Sequence, residues 1–219
     1  DELFGSYPSF QQIPKLVKFA RSLNWMPGIG KTFRLLTSST IKRWASPKYA
    51  SIFEYGGSYG GAYLLRRGLF MPWELPNLID ADIVKEGWER LQPILQLNDI
   101  AGNISAPRAK ISALEMTVYM RNMLLRDADW AGMAHSLEIR VPFVDIEVFR
   151  ALASLMVSDS IFPKDFLALV PEKSLPEELK NRQKTGFSIP VDDWIKTDSF
   201  SDNQKQGLKG WARRLLQEF

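Results

Sequence analysis

Residues Met133 to Asp145 read MAHSLEIRVPFVD, and further along Arg182 to Pro190 read RQKTGFSIP. The first stretch gathers a His, a Glu, an Arg and an Asp around a short apolar run. Glu138 and Arg140 stand two apart, which puts them on one face if the segment is extended. Beside Val141-Pro142-Phe143 either charge is costly to bury unpaired. Burial would require partners such as Asp127, Asp129 or Asp145. The pair reads as a structural ion-pair cluster or as one wall of a pocket. The second stretch places Lys184 beside Arg182 and before Gly186, between Pro176 and Pro190. A Lys on such a loop either reaches a phosphate as a point charge or stays a solvated charge. His135 is the only histidine. It suits a hydrogen-bonded structural role or a catalytic one, but not a metal site, since neither a second His nor a Cys exists to share the ion.

Working outward, most of the chain has helical spacing. Ile13, Leu16, Val17 and Ala20 form one apolar face over Ile13 to Leu23. Thr40 to Tyr55 predicts a helix or a pair, with Ser46-Pro47 as an interior start. Tyr59 to Arg67 follows a Gly-rich joint. Ile79 to Leu91 opens with Asp80 and Asp82, which suit a first turn. Pro107 opens the longest candidate, Arg108 to Arg126. Asp145 caps a helix running to Leu155. Pro163, Pro176 and Pro190 each begin a helical turn, and Gln206 to Phe219 closes the chain. The strand signal is confined to Ile139-Arg140-Val141. The composition is that of roughly eight to ten short helices of ordinary length.

The bulk properties exclude several classes. The chain has 219 residues and no cysteine, so disulfide frameworks, Cys-bound zinc and Cys nucleophiles are out. A net charge of +3 is too small to argue for nucleic acid. No apolar run approaches the ~20 residues of a spanning helix, so neither nucleic acid nor a membrane is an expected partner. With no Cys and no secretory segment, the expected setting is cytoplasmic. The start at Asp1 predicts a piece of something longer.

Three weaker patterns carry two readings each. Gly28-Ile29-Gly30-Lys31-Thr32 has the tail of a phosphate loop, but Trp25 occupies the position of its first Gly and a helix precedes it. A turn followed by a basic helix is the better reading. Gly56, Gly57, Gly60 and Gly61 suit tight packing or a ligand's approach. Asp1 and Glu2 could hold Mg²⁺ or fray into solvent.

Taken together, these segments resemble the synthetase domain of glutamine-hydrolysing asparagine synthetases. Asp1 to Tyr7, DELFGSY, is similar to the second half of the family's SGxGxDE-hydrophobic-FxGY motif. Asp129 to Asp145 resembles D-R-x-S-M-A-H-S-L-E-V-R-V-P-F-L-D. Arg182 to Trp194 resembles R-x-K-x-G-F-x-x-P-x-x-x-W. The order matches, and the likeness runs to about residue 196.

The resemblance implies that residues 1–219 are the C-terminal part of an α/β ATP-pyrophosphatase domain of the adenine nucleotide α-hydrolase type, mainly α within this piece. Its strands, its SGGxDS phosphate loop and an N-terminal glutaminase domain would lie upstream. The implied activity forms an amide: ATP converts aspartate or a related carboxylate into an acyl-adenylate, which glutamine-derived ammonia then attacks. ATP and Mg²⁺ are the implied cofactors. Asp1 would ligate Mg²⁺, Lys184 would hold the phosphates, and Glu138, Arg140 and Arg182 would belong to the ATP and substrate pocket. The isolated chain would be inactive, and a homodimer is left open. Asp127, Trp130 and Gly132 stand where the family commonly has Lys, Arg and Ser, which points to an acceptor other than free aspartate, such as a sugar acid. A helical binding domain without catalysis is the reading from another class. A carboxylate ligase lacking a glutaminase is a third.

Overall fold

The computed structural model describes residues 2–23, 28–41, 46–157, 164–173, 175–182 and 207–218. Among them every regular element is a helix. In chain order these are α1 (Ser9–Leu23), α2 (Ile29–Ile41), a 3₁₀ turn (Pro47–Ser51) leading into α3 (Ile52–Tyr55), and α4 (Tyr59–Arg67). A second 3₁₀ turn (Pro72–Asn77), α5 (Ala81–Leu91) and α6 (Pro93–Gly102) follow. Next comes one continuous rod: α7 (Pro107–Leu114), a π-helix (Glu115–Leu125) and α8 (Arg126–Met133). Short 3₁₀ turns at Pro142–Val144 and Lys164–Leu169 flank α9 (Ile146–Val157), and α10 (Glu177–Lys180) and α11 (Leu208–Glu218) complete the set. No helix among the described residues is long and apolar enough to cross a membrane.

The chain divides into two compact units, Asp1–Arg66 with Pro93–Leu175, and Arg67–Gln92 with Pro176–Phe219. In the first unit, α1 begins four residues before the apolar spacing predicts, because Pro8 and Tyr7 carbonyls accept the early N–H groups of Phe10, Gln11 and Gln12. Gly28 adopts φ +87°, the left-handed region open to glycine, and α2 starts directly after it. That arrangement is a turn into a helix rather than a strand-fed phosphate loop. Helix α6 is not among the helices expected from the sequence, yet it turns Leu97, Ile100 and Ala101 to the core and leaves Leu95 exposed. It packs on α4, where Gly60 N–H donates to Asn98 Oδ1 at 2.8 Å.

The core of this unit gathers Ile13 and Val17 of α1, Ala62 and Tyr63 of α4, Ala101 of α6, and Ile111 and Leu114 of α7. The rod that crosses it runs past Arg126, where the sequence reading ends it, to Met133. A π-helix bonds i to i+5 and is rare at this length. At its first residue the carboxylate of Glu115 is fully buried, accepting from Ser9 Oγ at 2.5 Å and Tyr63 OH at 3.2 Å. Two hydroxyl donors on separate helices thereby satisfy a charge-bearing group that the core could not otherwise hold.

In the second unit Asp80 stands just before α5 as its cap rather than within its first turn, its Oδ1 accepting from Asp82 N–H at 2.8 Å and Ile83 N–H at 3.3 Å. Lys209 of α11 pairs with Glu74 at 2.5 Å and lies over the Phe70 ring. The turn expected at Pro190 lies outside the described residues. Ile139-Arg140-Val141 belongs to no strand among the described residues.

Candidate functional site

The first unit holds a cavity of about 750 Å³. Four pieces of chain build it, the last contributing Leu167 of the Lys164–Leu169 turn. The segment before α1 supplies Glu2, Leu3, Phe4 and Tyr7. It is held in place by α7, where Arg108 Nη2 donates to the Leu3 carbonyl and Ser112 Oγ donates to the Glu2 carbonyl, each at 2.9 Å. Tyr7 meets Tyr119 edge to face, ring centroids 5.9 Å apart. The rod supplies Met116, Met120, Leu124 and Ala128 at intervals of four residues, with Leu125 beside them. The third wall runs from Arg140 through Pro142 and Phe143 to Phe149 of α9. Asp145 orients that wall, because its Oδ1 accepts Glu147 N–H at 2.7 Å and opens the helix there.

The MAHSLEIRVPFVD stretch is thus part of a pocket wall. Its charges are arranged differently from the buried cluster that the sequence allows. Arg140 Nε and Nη2 donate to the two carboxylate oxygens of Glu138 at 3.0 and 3.4 Å, and the side chains are 83% and 72% exposed. Water solvates both, so neither needs an additional acidic partner. Asp127 faces Arg126 at 3.8 Å instead, and Asp145 serves as a helix cap. The His135 ring is exposed and makes no hydrogen bond among the described residues, so neither a structural nor a catalytic part is visible for it. Arg182 is solvent-exposed in the second unit. Asp1 and Lys184 lie outside the described residues.

Two of the three unusual positions have local explanations. Gly132 is buried, and a Cβ there would come within 2.8 Å of the Leu137 carbonyl oxygen. The Gly132 carbonyl in turn accepts from His135 and Leu137 N–H at 2.9 Å, which reverses the chain into the extended wall. Trp130 is 65% exposed with the Arg126 guanidinium 4.9 Å from its ring. Nothing in the structure explains Asp127.

The apolar lining went unread in the sequence. Its signal was available in Glu115 to Leu125, EMTVYMRNMLL, which holds three of the seven methionines. Titrating groups with displaced values lie away from this wall. Burial pushes the Tyr55 hydroxyl up to about 12, Glu54 adding to the effect and Arg34 opposing it. Burial also raises Tyr59, against the Arg21 charge. A hydrogen bond and the positive charge of Lys180 lower Glu177.

No cluster of three or more His, Asp or Glu side chains sits ready for a metal among the described residues. Mg²⁺ does not require one, since one or two carboxylates suffice when phosphate oxygens complete its shell. The Glu2 carboxylate at the cavity edge is chemically suited to that demand.

Known proteins supply the remaining information. Residues 1–217 match the family model described as asparagine synthase. Asparagine synthetase (glutamine-hydrolyzing) 1 of Bacillus subtilis is 26% identical over 230 aligned positions, covering 100% of this chain and 32% of that protein. Proteins of Mycobacterium bovis and Mycobacterium tuberculosis, provisionally assigned as glutamine-hydrolyzing asparagine synthetases, are each 25% identical over 90% of this chain and 29% of their own length. The chain therefore spans about a third of the relatives it matches. No solved structure matches. The family model spans nearly every residue, including both motif-bearing stretches, and on that ground the chain belongs to the asparagine synthase family.

Proposed function

We propose that this chain is the C-terminal part of an ATP-dependent amide-forming synthetase. The observation that supports the reading best is the family match over residues 1–217, joined by the meeting of Glu2 and Arg140 on one cavity. The reaction has two halves. A carboxylate oxygen attacks the α-phosphorus of ATP, the bond to the β-phosphate breaks, and pyrophosphate leaves. Ammonia then attacks the acyl carbonyl and AMP departs, so one carboxylate oxygen ends in AMP and the other in the amide.

Each residue has a physical task in that scheme. The reacting oxygen and the pyrophosphate are both anionic, so cations must gather where charge accumulates. Lys184, a compact ammonium, would meet the leaving pyrophosphate. Asp1, with Glu2 beside it, would hold Mg²⁺, whose charge when bound neutralises the phosphates. Arg140, aligned by Glu138, would orient a carboxylate on the pocket wall, and Arg182 would add positive charge near Lys184. Ammonia would come from a glutaminase domain in the parent chain. ATP, the carboxylate and glutamine would then be its small-molecule ligands, in the cytoplasm.

The test is carboxylate-dependent exchange of radiolabelled pyrophosphate into ATP by the full protein. A Lys that helps most in the transition state lowers rate more than binding when lost, so Lys184→Ala should cost ~10²-fold or more in exchange rate while ATP affinity changes little. Exchange at wild-type rate in that variant would make Lys184 a solvated charge. The 219-residue chain alone should show none, because its one stretch resembling a phosphate loop, Gly28 to Thr32, is a turn feeding a helix.

A further inference from the structure

The cavity also bears on which carboxylate is used, a question that rests on the synthetase reading above. Its walls are Leu3, Phe4 and Tyr7, the Met116–Met120 face of the rod, and Phe143 and Phe149 opposite. Among the described residues the charged groups that line it are Glu2 and Arg140. Arg140 engages Glu138 through Nε and Nη2, which leaves further N–H donors on the guanidinium for one carboxylate.

We propose that the acceptor is a carboxylic acid with a bulky apolar body, held at its carboxylate by Arg140 and along its body by the methionine and phenylalanine walls. Volume and polarity together favour this class. About 750 Å³ lies in the range of pockets that enclose drug-sized ligands. Free aspartate brings a single methylene to these walls and two carboxylates that must both be paired. A sugar acid brings several hydroxyls, each of which loses water and finds few acceptors against Leu, Met and Phe. An aromatic or branched aliphatic acid loses nothing polar beyond its carboxylate, and each methylene it buries raises affinity roughly 4-fold. Met116 and Met120 add tolerance, since unbranched thioethers repack around bodies of different shape.

The test uses the full protein and a panel of acids in pyrophosphate exchange: aspartate, gluconate, hexanoate and 3-phenylpropanoate. The expected result is a kcat/KM for the apolar acids ~10²-fold or more above that for aspartate. Met120→Asp, which sets a carboxylate into the apolar wall, should reduce that preference at least tenfold, and Met120→Leu should restore it. A thermal melt of each variant separates this effect from misfolding. Exchange with aspartate or gluconate in preference to the apolar acids overturns the inference and leaves the synthetase reading intact. Exchange with no acid, in a folded protein that binds ATP, sinks the synthetase reading itself. Loss of preference in Met120→Leu as deep as in Met120→Asp would show that the wall acts through fold rather than through contact with the acid, and would also overturn the inference.

Discussion

The rod from Pro107 to Met133 presents two faces that reverse the usual arrangement. On one side Glu115, a residue of the surface by chemistry, is fully buried and accepts from Ser9 and Tyr63. On the other, apolar side chains are left open: Met116 and Met120 line a cavity, and Leu124 is 42% exposed. The comparison separates what stabilises the unit from what it can bind. A buried carboxylate with two hydroxyl donors ties α1, α4 and the rod together. An open apolar wall contributes little to stability and remains available to a ligand.

The sharpest way to break that comparison is to remove one group from each face. Glu115→Ala takes the shared acceptor from Ser9 and Tyr63 and leaves a void, and should cost ~3 kcal/mol of stability, read as a drop in the urea midpoint. Met116→Ala, on the half-buried face, should cost ~1 kcal/mol, below the usual range for a buried methionine. Equal losses at the two sites would mean that the cavity wall is core by another route, and the distinction between the faces would fall.

A smaller effect sharpens the same contrast by pH. Tyr55 is half-buried, with its hydroxyl pushed from 10.0 to about 12 by that burial. The folded state therefore keeps its proton where the unfolded chain gives it up. That contribution is fully present below pH 10 and is lost as pH climbs through about 12. Tyr55→Phe has nothing to ionise there, so its stability should fall less steeply across that window than the parent's. Lysines titrate in both proteins alike and cancel in the difference. Parallel slopes would contradict the burial argument.

Much of the helical frame was legible because it depends on local rules. Pro107, Asp80 and Asp145 each announce a helix start through φ restriction or side-chain capping, and each helix begins within one residue of them. Tyr59–Arg67 follows directly from its Gly-rich joint. Helix α6 was not read from the sequence, although Ile94, Leu97, Ile100 and Ala101 share one of its faces. The π segment was hidden because a wider helical repeat depends on packing around Glu115, and no residue type signals it. The site was legible in part. Glu138 and Arg140 do stand together, as an ion pair at 3.0 Å. Their exposure could not be read, because it depends on how Gly132 turns the chain. The cavity's apolar walls come from four separate stretches, and only the fold assembles them.

The central claim is that a carboxylate is activated through its adenylate. Feeding the full protein a carboxylic acid carrying a heavy-oxygen label in its carboxylate, together with ATP and glutamine, follows the oxygen directly. The account predicts that one labelled oxygen per turnover appears in AMP, with pyrophosphate unlabelled. Label in inorganic phosphate, with ADP as the nucleotide product, would mean that the γ-phosphate is attacked and would contradict it.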